Sequence, residues 1–332
     1  MGIFISTFTT GFGSVVRRQL ESDLPGAKVL DLYDGFVKYR FDGNYRAIDK
    51  LIYLNNSFYV LAEYKGKKPS FPEMVNQISR KKCRFLIPQG SCRVRFSREN
   101  QFQKVENGTT RLAEKHIRQN SRLRIDRVNP TTEIWYIIRS EGVGFCGQLL
   151  SKRLATEKTL HKGELRPEFA FLMCSLARPA RRSTVCDPFC GYGSIPKQLL
   201  THFPVQKVIA ADIDRDKVRQ LKREAWAKQS NLDLTVADAT ALTALADNSV
   251  DAVITDPPWG FYENIENIRD FYVEILRELS RITKKNGTIT VLSARKEEFE
   301  SACLHCSLKI KYKINTLVNG KKAAVFVLRP VG

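Results

Sequence analysis

The feature that most constrains this chain is a strand–helix alternation in its C-terminal half, from residue 184 to residue 293. Short apolar runs there alternate with amphipathic helical patterns, which favours a doubly wound parallel sheet with helices on both faces. Two closing strands, over 308–317 and 323–328, are joined by Asn319-Gly320, a dipeptide that favours a hairpin. The predicted fold class is α/β, with a Rossmann-like sheet that ends in an antiparallel hairpin.

The N-terminal half predicts two smaller α/β units. Residues 1–64 read as βαββαβ, the order of a ferredoxin-like unit, and their second helix is predicted over 45–54. Residues 65–152 predict a further unit, which includes a helix over 71–79. We therefore expect two small domains before the larger sheet.

A connector separates the two halves. Residues 153–165 are interpreted as a linker, and Arg166-Pro167 then starts a helix, because proline is tolerated in a first helical turn. Residues 166–332 form the expected third domain, in which a helix is predicted over 217–228.

Positive charge is concentrated in one segment. The chain has a net charge of +19, and residues 61–127 hold 17 Lys or Arg against 6 Asp or Glu. Such a cluster favours a polyanionic partner, because phosphates supply most non-specific affinity; a merely basic, soluble domain is the alternative. The candidates for phosphate contact are Lys81, Lys82, Arg84, Arg93, Arg95, Arg111, Arg118, Arg122 and Arg124.

Three further features concern the compartment and metals. No apolar run approaches the roughly 18–20 residues of a membrane helix, and the N-terminus lacks the pattern of a signal peptide. We therefore expect a cytoplasmic protein whose eight cysteines are free thiols. Cys303-Leu-His-Cys306 has no second cysteine pair to complete a zinc site, so no metal is expected.

The first motif with chemical meaning is Asp187-Pro-Phe-Cys-Gly-Tyr-Gly-Ser194, where the first strand of the large sheet meets its helix. Ligands of open α/β sheets bind at the carboxyl ends of strands, at the topological switch point. Gly191 and Gly193 allow a close approach of the backbone to a ligand. Asp187 either holds a cationic ammonium or orders the loop.

Two further acids follow the next strands. An acid at the position of Asp212 accepts hydrogen bonds from ribose hydroxyls, or else caps a helix or lies on the surface. Asp214 is the better helix cap, because the next helix starts directly after it. Asp238 follows the third strand, where it either accepts from an adenine amino group or forms a turn.

The sharpest motif is Asp256-Pro-Pro-Trp-Gly260, directly after an apolar strand. Pro257 and Pro258 fix φ and remove two backbone donors. A carbonyl beside the Asp256 carboxylate makes an acceptor pair suited to an exocyclic amino group. Trp259 offers a flat face on which a base stacks. A purely structural turn is the alternative.

These residues carry a resemblance. Asp256-Pro-Pro-Trp259 resembles the (D/N)PP(Y/F/W) motif of class I methyltransferases that act on planar amino nitrogens, and Asp187–Ser194 is similar to their AdoMet loop. Gly163–Ala170 looks like the start of the methyltransferase domain in THUMP-containing tRNA methyltransferases. Trp259 stands where Tyr is commoner in that family, and Tyr192 where Ser is commoner.

The resemblance implies a function and its residues. It implies a THUMP-like RNA-binding domain over 65–152, and AdoMet-dependent formation of N2-methylguanosine in tRNA, in one branch at position 6 of the acceptor stem. Asp256 and the Pro257 carbonyl would accept the two N–H bonds of the amine, with Pro258 and Trp259 completing the catalytic motif. tRNA is the expected partner, without a membrane or a metal, and a monomer is the expected state. The implied cofactor contacts are Asp187, Phe189, Cys190, Gly191, Tyr192, Gly193, Ser194, Asp212, Ile213, Asp238, Ala239 and Asp256.

Other functions compete with this one. A dinucleotide oxidoreductase is disfavoured, because Pro196 stands where GxGxxG needs its third glycine and because the Asp256–Trp259 motif would go unexplained. Methylation of DNA adenine N6 or of ribosomal RNA guanine N2 stays open, and so does a non-catalytic RNA-binding module. A comparison of tRNA with duplex DNA as the methyl acceptor distinguishes tRNA methylation from methylation of DNA adenine N6.

Overall fold

The structure is a computed structural model that describes residues 2–66, 69–152, 160–261 and 265–330. Contacts divide the chain into two compact units. The first comprises residues 1–8 and 20–153, and the second comprises residues 9–19 and 154–332. The domain limits at 64, 152 and 165 stay predictions, and residues 153–159 of the expected linker lie outside the described residues.

The first unit contains a nine-stranded mixed sheet. The strands are β1 (Gly2–Thr7), β2 (Lys28–Tyr33), β3 (Phe36–Phe41), β4 (Asn56–Glu63), β5 (Gln89–Arg98), β6 (Gln101–Phe102), β7 (Arg122–Ile125), β8 (Thr132–Ile138) and β9 (Gly144–Lys152). Their order in the sheet is β2-β3-β1-β4-β9-β8-β5-β6, with β7 beside β5. Strand β5 runs parallel to β7 and β8, and the other neighbours are antiparallel.

The second unit contains a seven-stranded sheet. The strands are β10 (Thr184–Asp187), β11 (Lys207–Asp212), β12 (Leu232–Val236), β13 (Val250–Thr255), β14 (Thr283–Ser293), β15 (Lys309–Val318) and β16 (Lys321–Arg329). Their order is β12-β11-β10-β13-β14-β16-β15. The first five strands in this order are parallel, and β16 is antiparallel to both of its neighbours. The predicted doubly wound sheet with a terminal antiparallel hairpin is therefore confirmed.

Helices cover these sheets. They are α1 (Gly13–Asp23), α2 (Phe71–Ser79), α3 (Asn107–Asn120), α4 (Pro167–Ala177), α5 (Ser194–His202), α6 (Arg215–Leu221), α7 (Ile268–Ile282) and α8 (Lys296–His305). In the first unit α2 and α3 bury an apolar face against β5 and β8. In the second unit α7 buries Tyr272, Ile275, Leu276 and Leu279 in the core beneath β13 and β14. Helix α4 starts with proline at its first position, as predicted.

Two helix predictions were wrong in extent. The segment predicted as a helix over 45–54 is a 3-10 helix, Tyr45–Lys50, because Leu51 adopts extended dihedral angles. This turn of the chain allows Tyr53 and Leu54 to reach the core, where both are buried. The helix predicted over 217–228 is α6 followed by a separate 3-10 helix, Ala225–Lys228.

Neither a membrane span nor a metal cluster is found in the described part of the chain. No helix there combines the length and apolarity needed to cross a bilayer. No three His, Cys, Asp or Glu side chains among those residues are grouped as a metal would require. All eight cysteines are free thiols.

Candidate active site

Three of the predicted motifs meet at one edge of the second sheet. Strand β10 lies between β11 and β13, and all three run parallel, so Asp187, Asp212 and Thr255 end neighbouring strands. The chain order reverses between β10 and β13, which makes this edge the topological switch point where ligands of such sheets bind. The loops that follow these strands therefore form one candidate site.

Asp187 is the more deeply buried of two buried acids in this site, with 1% of its surface exposed against 8% for Asp212. Its Oδ1 accepts hydrogen bonds from the Thr255 hydroxyl at 2.7 Å and from the Phe189 N–H at 3.3 Å. Burial, with a smaller contribution from the negative charge of Asp212, raises the pKa of Asp187 to about 7. The carboxyl therefore orders the loop and changes its charge near neutral pH.

The two loop positions 191 and 193 require glycine for different structural reasons. Both adopt positive φ, 53° at Gly191 and 83° at Gly193. A Cβ on Gly191 would find its nearest neighbour, the Phe189 carbonyl oxygen, 4.0 Å away, so this side of the loop faces open space. A Cβ on Gly193 would lie 2.6 Å from the ring of Trp226. Gly191 thus leaves room for a ligand, whereas Gly193 makes room for an indole.

We expect Gly193→Ala to destabilise the second unit more than Gly191→Ala. Each substitution places a Cβ on a left-handed backbone, at a cost of roughly 1–2 kcal/mol. Only the first also forces a clash with Trp226, which adds about 1–3 kcal/mol of overpacking. Thermal unfolding of the two variants measures the difference. Equal unfolding midpoints would contradict the packing role of Gly193.

Asp212 is tied to the loop by backbone donors. Its two carboxylate oxygens accept from the N–H groups of Gly191 at 2.8 Å and Asp214 at 2.9 Å. The next residue, Ile213, is an apolar side chain with 68% of its surface exposed. Asp214 caps α6 by accepting from two N–H groups of its first turn, as predicted.

Asp238 lies on the exposed surface after β12. Its Oδ1 accepts from both the N–H and the hydroxyl of Thr240, at 2.9 and 2.8 Å. This is the turn-forming role that the sequence offered as an alternative to adenine binding. The neighbouring Ala239 is buried. The adenine-binding role of Asp238 stays a prediction.

These residues fit AdoMet by their chemistry. Carboxylate oxygens retain acceptor capacity beyond one hydrogen bond, so Asp212 suits a ribose diol, and the uncovered Ile213 suits the face of an adenine. An ionised Asp187 suits an ammonium group. The open space beside Gly191 is where a ligand would approach the loop backbone. The cofactor contacts of these residues stay predictions, as do those of Phe189, Cys190, Tyr192, Gly193, Ser194, Asp238, Ala239 and Asp256.

The acceptor turn, residues 256–259, has an internal hydrogen bond that the sequence did not predict. The indole N–H of Trp259 donates to Asp256 Oδ1 at 3.0 Å. Pro257 is buried, whereas Asp256, Pro258 and Trp259 are half-buried, so the indole is not withdrawn into the core. Trp259 therefore both orients the Asp256 carboxylate and keeps part of its ring accessible.

Three residues that support the acceptor turn were not predicted from the sequence. The Tyr272 hydroxyl donates to the Pro258 carbonyl at 3.3 Å and lies 3.0 Å from the Ser293 hydroxyl. Arg295 Nε donates to the Trp259 carbonyl at 3.1 Å. Ser293 ends β14, so the rule that ligands bind at the carboxyl ends of parallel strands could have identified it. Tyr272 gives no such signal, because in sequence it is one apolar position of α7.

The cofactor loop also contacts a segment from the expected linker. The rings of Tyr192 and His161 stack with centroids 4.1 Å apart and planes 11° apart. The Ser194 hydroxyl donates to the Leu165 carbonyl at 2.9 Å. Residues 160–165 thus help to order the loop after β10, which residue types alone do not indicate.

The basic candidates of the first unit divide into two groups. Six are exposed: Lys82, Arg84, Arg111, Arg118, Arg122 and Arg124. The other three are half-buried and have partners within the unit. Lys81 donates to the Glu63 carbonyl, Arg93 pairs with Glu133, and Arg95 Nε lies 3.9 Å from the same carboxylate. The exposed six are the better candidates for an external phosphate, and RNA binding by all nine stays a prediction.

Comparison with known proteins agrees with this architecture. Residues 197–323 match a family model described as RMKL-like, methyltransferase domain. The chain is 26% identical over 195 residues to the tRNA (guanine(10)-N2)-dimethyltransferase of Methanothermobacter thermautotrophicus, covering 56% of this chain and 57% of that one. It is 26% identical over 215 residues to the tRNA (guanine(6)-N2)-methyltransferase of Thermus thermophilus, covering 62% and 63%. The chain thus spans less than two thirds of the length of either relative.

A solved structure matches the whole chain. The crystal structure of TrmN from Thermus thermophilus superposes with a TM-score of 0.82 at 20% identity, covering 100% of both chains. The predicted class I methyltransferase fold is therefore confirmed, and so is the resemblance to tRNA guanine-N2 methyltransferases. The THUMP-like character of residues 65–152 stays a prediction.

Proposed function

We propose that this chain transfers a methyl group from AdoMet to the exocyclic N2 of a guanine in structured RNA, with tRNA as the first candidate. One observation carries the proposal: the acceptor turn follows β13 directly, and Thr255, the last residue of that strand, donates a hydrogen bond to Asp187 at the base of the cofactor loop. An acceptor for an amine and a loop for a nucleoside cofactor are thereby held side by side.

The acceptor turn compensates for the low nucleophilicity of the target amine. An exocyclic amine is a poor nucleophile, because its lone pair is delocalised into the ring. Asp256 and the Pro257 carbonyl accept its two N–H bonds, which localises the lone pair and stabilises the positive charge that develops on nitrogen. AdoMet supplies an electrophilic methyl group on a sulfonium. Asp256 then accepts the proton that the methylated amine loses.

The remaining residues of the turn hold this acceptor pair in place. The Trp259 N–H bond fixes the orientation of the carboxylate, and the Tyr272 and Arg295 hydrogen bonds fix the backbone on which it sits. Holding the amine in line with the methyl group contributes as much as roughly 7–11 kcal/mol in favourable cases. The target base must leave its helix, at a cost of a few kcal/mol, which stacking on Trp259 partly offsets.

RNA docking is assigned to the exposed cations of the first unit. A-form RNA hides its base edges in a deep groove, so that phosphate and shape contacts dominate its recognition. The Thermus thermophilus relative is named for guanine 6 of tRNA. The same position, in the acceptor stem, is the first one to examine in the substrate of this chain.

The proposal predicts a preference for tRNA over DNA as the methyl acceptor. The purified chain is incubated with labelled AdoMet and either unmodified total tRNA or duplex DNA that contains adenine. We expect label in the tRNA and background in the DNA. Asp233→Asn serves as a control. Asp233 lies away from the acceptor turn and pairs with Lys207 at the surface, so this variant should behave as wild type. Label in the DNA alone would contradict the proposal.

A further inference from the structure

Two buried hydroxyl groups lie next to the acceptor turn. They belong to Tyr272 on α7 and Ser293 at the end of β14, and each side chain has 0% of its surface exposed. The Tyr272 Oη lies 3.0 Å from the Ser293 Oγ and 3.3 Å from the Pro258 carbonyl oxygen. The Ser293 Oγ also accepts from the backbone N–H of Arg295 at 3.0 Å. These contacts connect β14 to the acceptor turn through α7.

The direction of each hydrogen bond in this chain follows from the protons available. A carbonyl has no proton to give, so the Tyr272 hydroxyl donates to Pro258. That bond uses the single hydroxyl proton of Tyr272, so the Ser293 hydroxyl donates to the Tyr272 oxygen while it accepts from Arg295. Burial raises the pKa of Tyr272, which keeps its proton in place. Because the chain ends on a carbonyl, it orients the turn and does not carry a proton away from the amine.

The carbonyl groups of the turn differ in their hydrogen bonds. The Pro258 carbonyl accepts from Tyr272, and the Trp259 carbonyl accepts from Arg295 Nε at 3.1 Å. Within the part of the chain that the structure describes, no donor contacts the Pro257 carbonyl. The carbonyl left open is therefore the one assigned to the amine, and the two that follow it are held by α7 and by the segment after β14.

We propose that Tyr272 and Ser293 are positioning residues for methyl transfer, which hold the Pro258 carbonyl in the interior and so leave the Pro257 carbonyl as the acceptor for the amine. This proposal rests on the proposed function. It adds a role for Ser293, which acts on the acceptor pair through Tyr272 and through Arg295, the residue whose side chain holds the next carbonyl.

Turnover and substrate binding, measured separately, test the proposal. Tyr272→Phe removes the hydroxyl and keeps the buried ring, and it should lower kcat by about 10–100-fold, because small displacements of an aligned group are costly. Ser293→Ala should lower kcat by less, because Tyr272 can still donate to Pro258. In both variants the KM for tRNA and the affinity for AdoMet should stay within about twofold of wild type. The double variant should lose less than the product of the two single losses, because the serine acts partly through the tyrosine.

Tyr39→Phe is the matched control for the loss of a buried hydroxyl. Tyr39 has 0% of its surface exposed in the first unit, and its Oη lies 3.1 Å from the Ser6 Oγ. This control should lower thermal stability, as Tyr272→Phe does, and keep the wild-type kcat. An equal fall of kcat in Tyr39→Phe would overturn the positioning role, and so would a change confined to KM in Tyr272→Phe.

The indole N–H of Trp259 reports on the turn without any turnover, because it is bonded to a residue of the acceptor pair. The chain has three Trp, and Trp259→Phe identifies the NMR signal of this indole among them. We expect Tyr272→Phe and Ser293→Ala to shift this signal and to speed its exchange with water, whereas Tyr39→Phe leaves it unchanged.

The outcomes separate the positioning role from the reaction. An unchanged Trp259 signal in both Tyr272→Phe and Ser293→Ala would overturn the proposal, even if wild type methylates tRNA. A shifted signal with a wild-type kcat would also overturn it. A shifted signal in a chain that does not methylate RNA would support the hold of the two hydroxyls on the turn and remove the proposed reaction.

Discussion

Asp256→Ala should nearly abolish methyl transfer and leave the affinity for AdoMet nearly unchanged. The carboxylate is one of the two acceptors assigned to the amine, and removing one preorganised group that stabilises developing charge typically costs about 10²–10³ in kcat. Asp256 follows β13, whereas the loop that fits AdoMet follows β10 and is held by Asp187 and Asp212. Single-turnover rates and equilibrium binding of AdoMet measure the two effects separately.

Two comparisons sharpen this prediction. Trp259→Phe retains a flat ring but removes the N–H donated to Asp256 Oδ1, so it should slow transfer less than Asp256→Ala does. Asp233→Asn, an exposed acid on β12, should change neither rate nor binding. If Asp256→Ala lost AdoMet binding and turnover to the same degree, Asp256 would be a cofactor residue rather than an acceptor for the amine.

Asp187→Asn should make the protein more stable at alkaline pH while weakening its binding of AdoMet. Burial raises the pKa of Asp187 to about 7, far above the usual range of a carboxyl. The folded state therefore binds a proton more tightly than the unfolded state, and stability falls as the pH rises from about 4 to about 7. Above that window the buried charge costs roughly 4 kcal/mol, since each pKa unit corresponds to about 1.4 kcal/mol. Asparagine carries no such charge.

The pH dependence distinguishes this explanation from a general packing effect. The advantage of Asp187→Asn in unfolding midpoint should be small near about pH 4 and reach its full size above about pH 7. AdoMet binding by wild type should strengthen as the pH rises through about 7, because the ammonium group needs the ionised carboxylate; binding by the variant should lack this rise. A stability difference that is the same at every pH would refute the role assigned to burial.

Much of the site was predictable because parallel strands end at one edge. Asp187 and Asp212 end two strands of one predicted sheet and Asp256 directly follows a third, so their proximity follows from the fold class alone. The hairpin at Asn319-Gly320 was predictable for a similar reason, since a local turn preference determines it. Predictions of this kind need only short segments and the general geometry of sheets.

Contacts that depend on register were not predictable. Arg93 and Glu133 lie directly opposite each other on β5 and β8, which pairs a predicted phosphate ligand with an internal acid. Charge counts along the sequence contain no such information, because strand register depends on the packing of the whole unit. Arg295 reaches Trp259 across 36 positions of sequence for the same reason. The length of the 3-10 helix after Asn44 also depended on packing, because the chain must leave the helix for Tyr53 and Leu54 to reach the core.

The identity of the methylated nucleoside tests the central claim most directly. Total tRNA labelled by the wild-type chain is digested to nucleosides, and the labelled product is identified by mass spectrometry against authentic methylated standards. An acceptor pair suited to an exocyclic amine, together with the proposed guanine specificity, predicts N2-methylguanosine, with the label lost in Asp256→Ala. A label on a ribose hydroxyl, a ring carbon or a ring nitrogen would contradict it, because none of these atoms offers two N–H bonds to Asp256 and the Pro257 carbonyl.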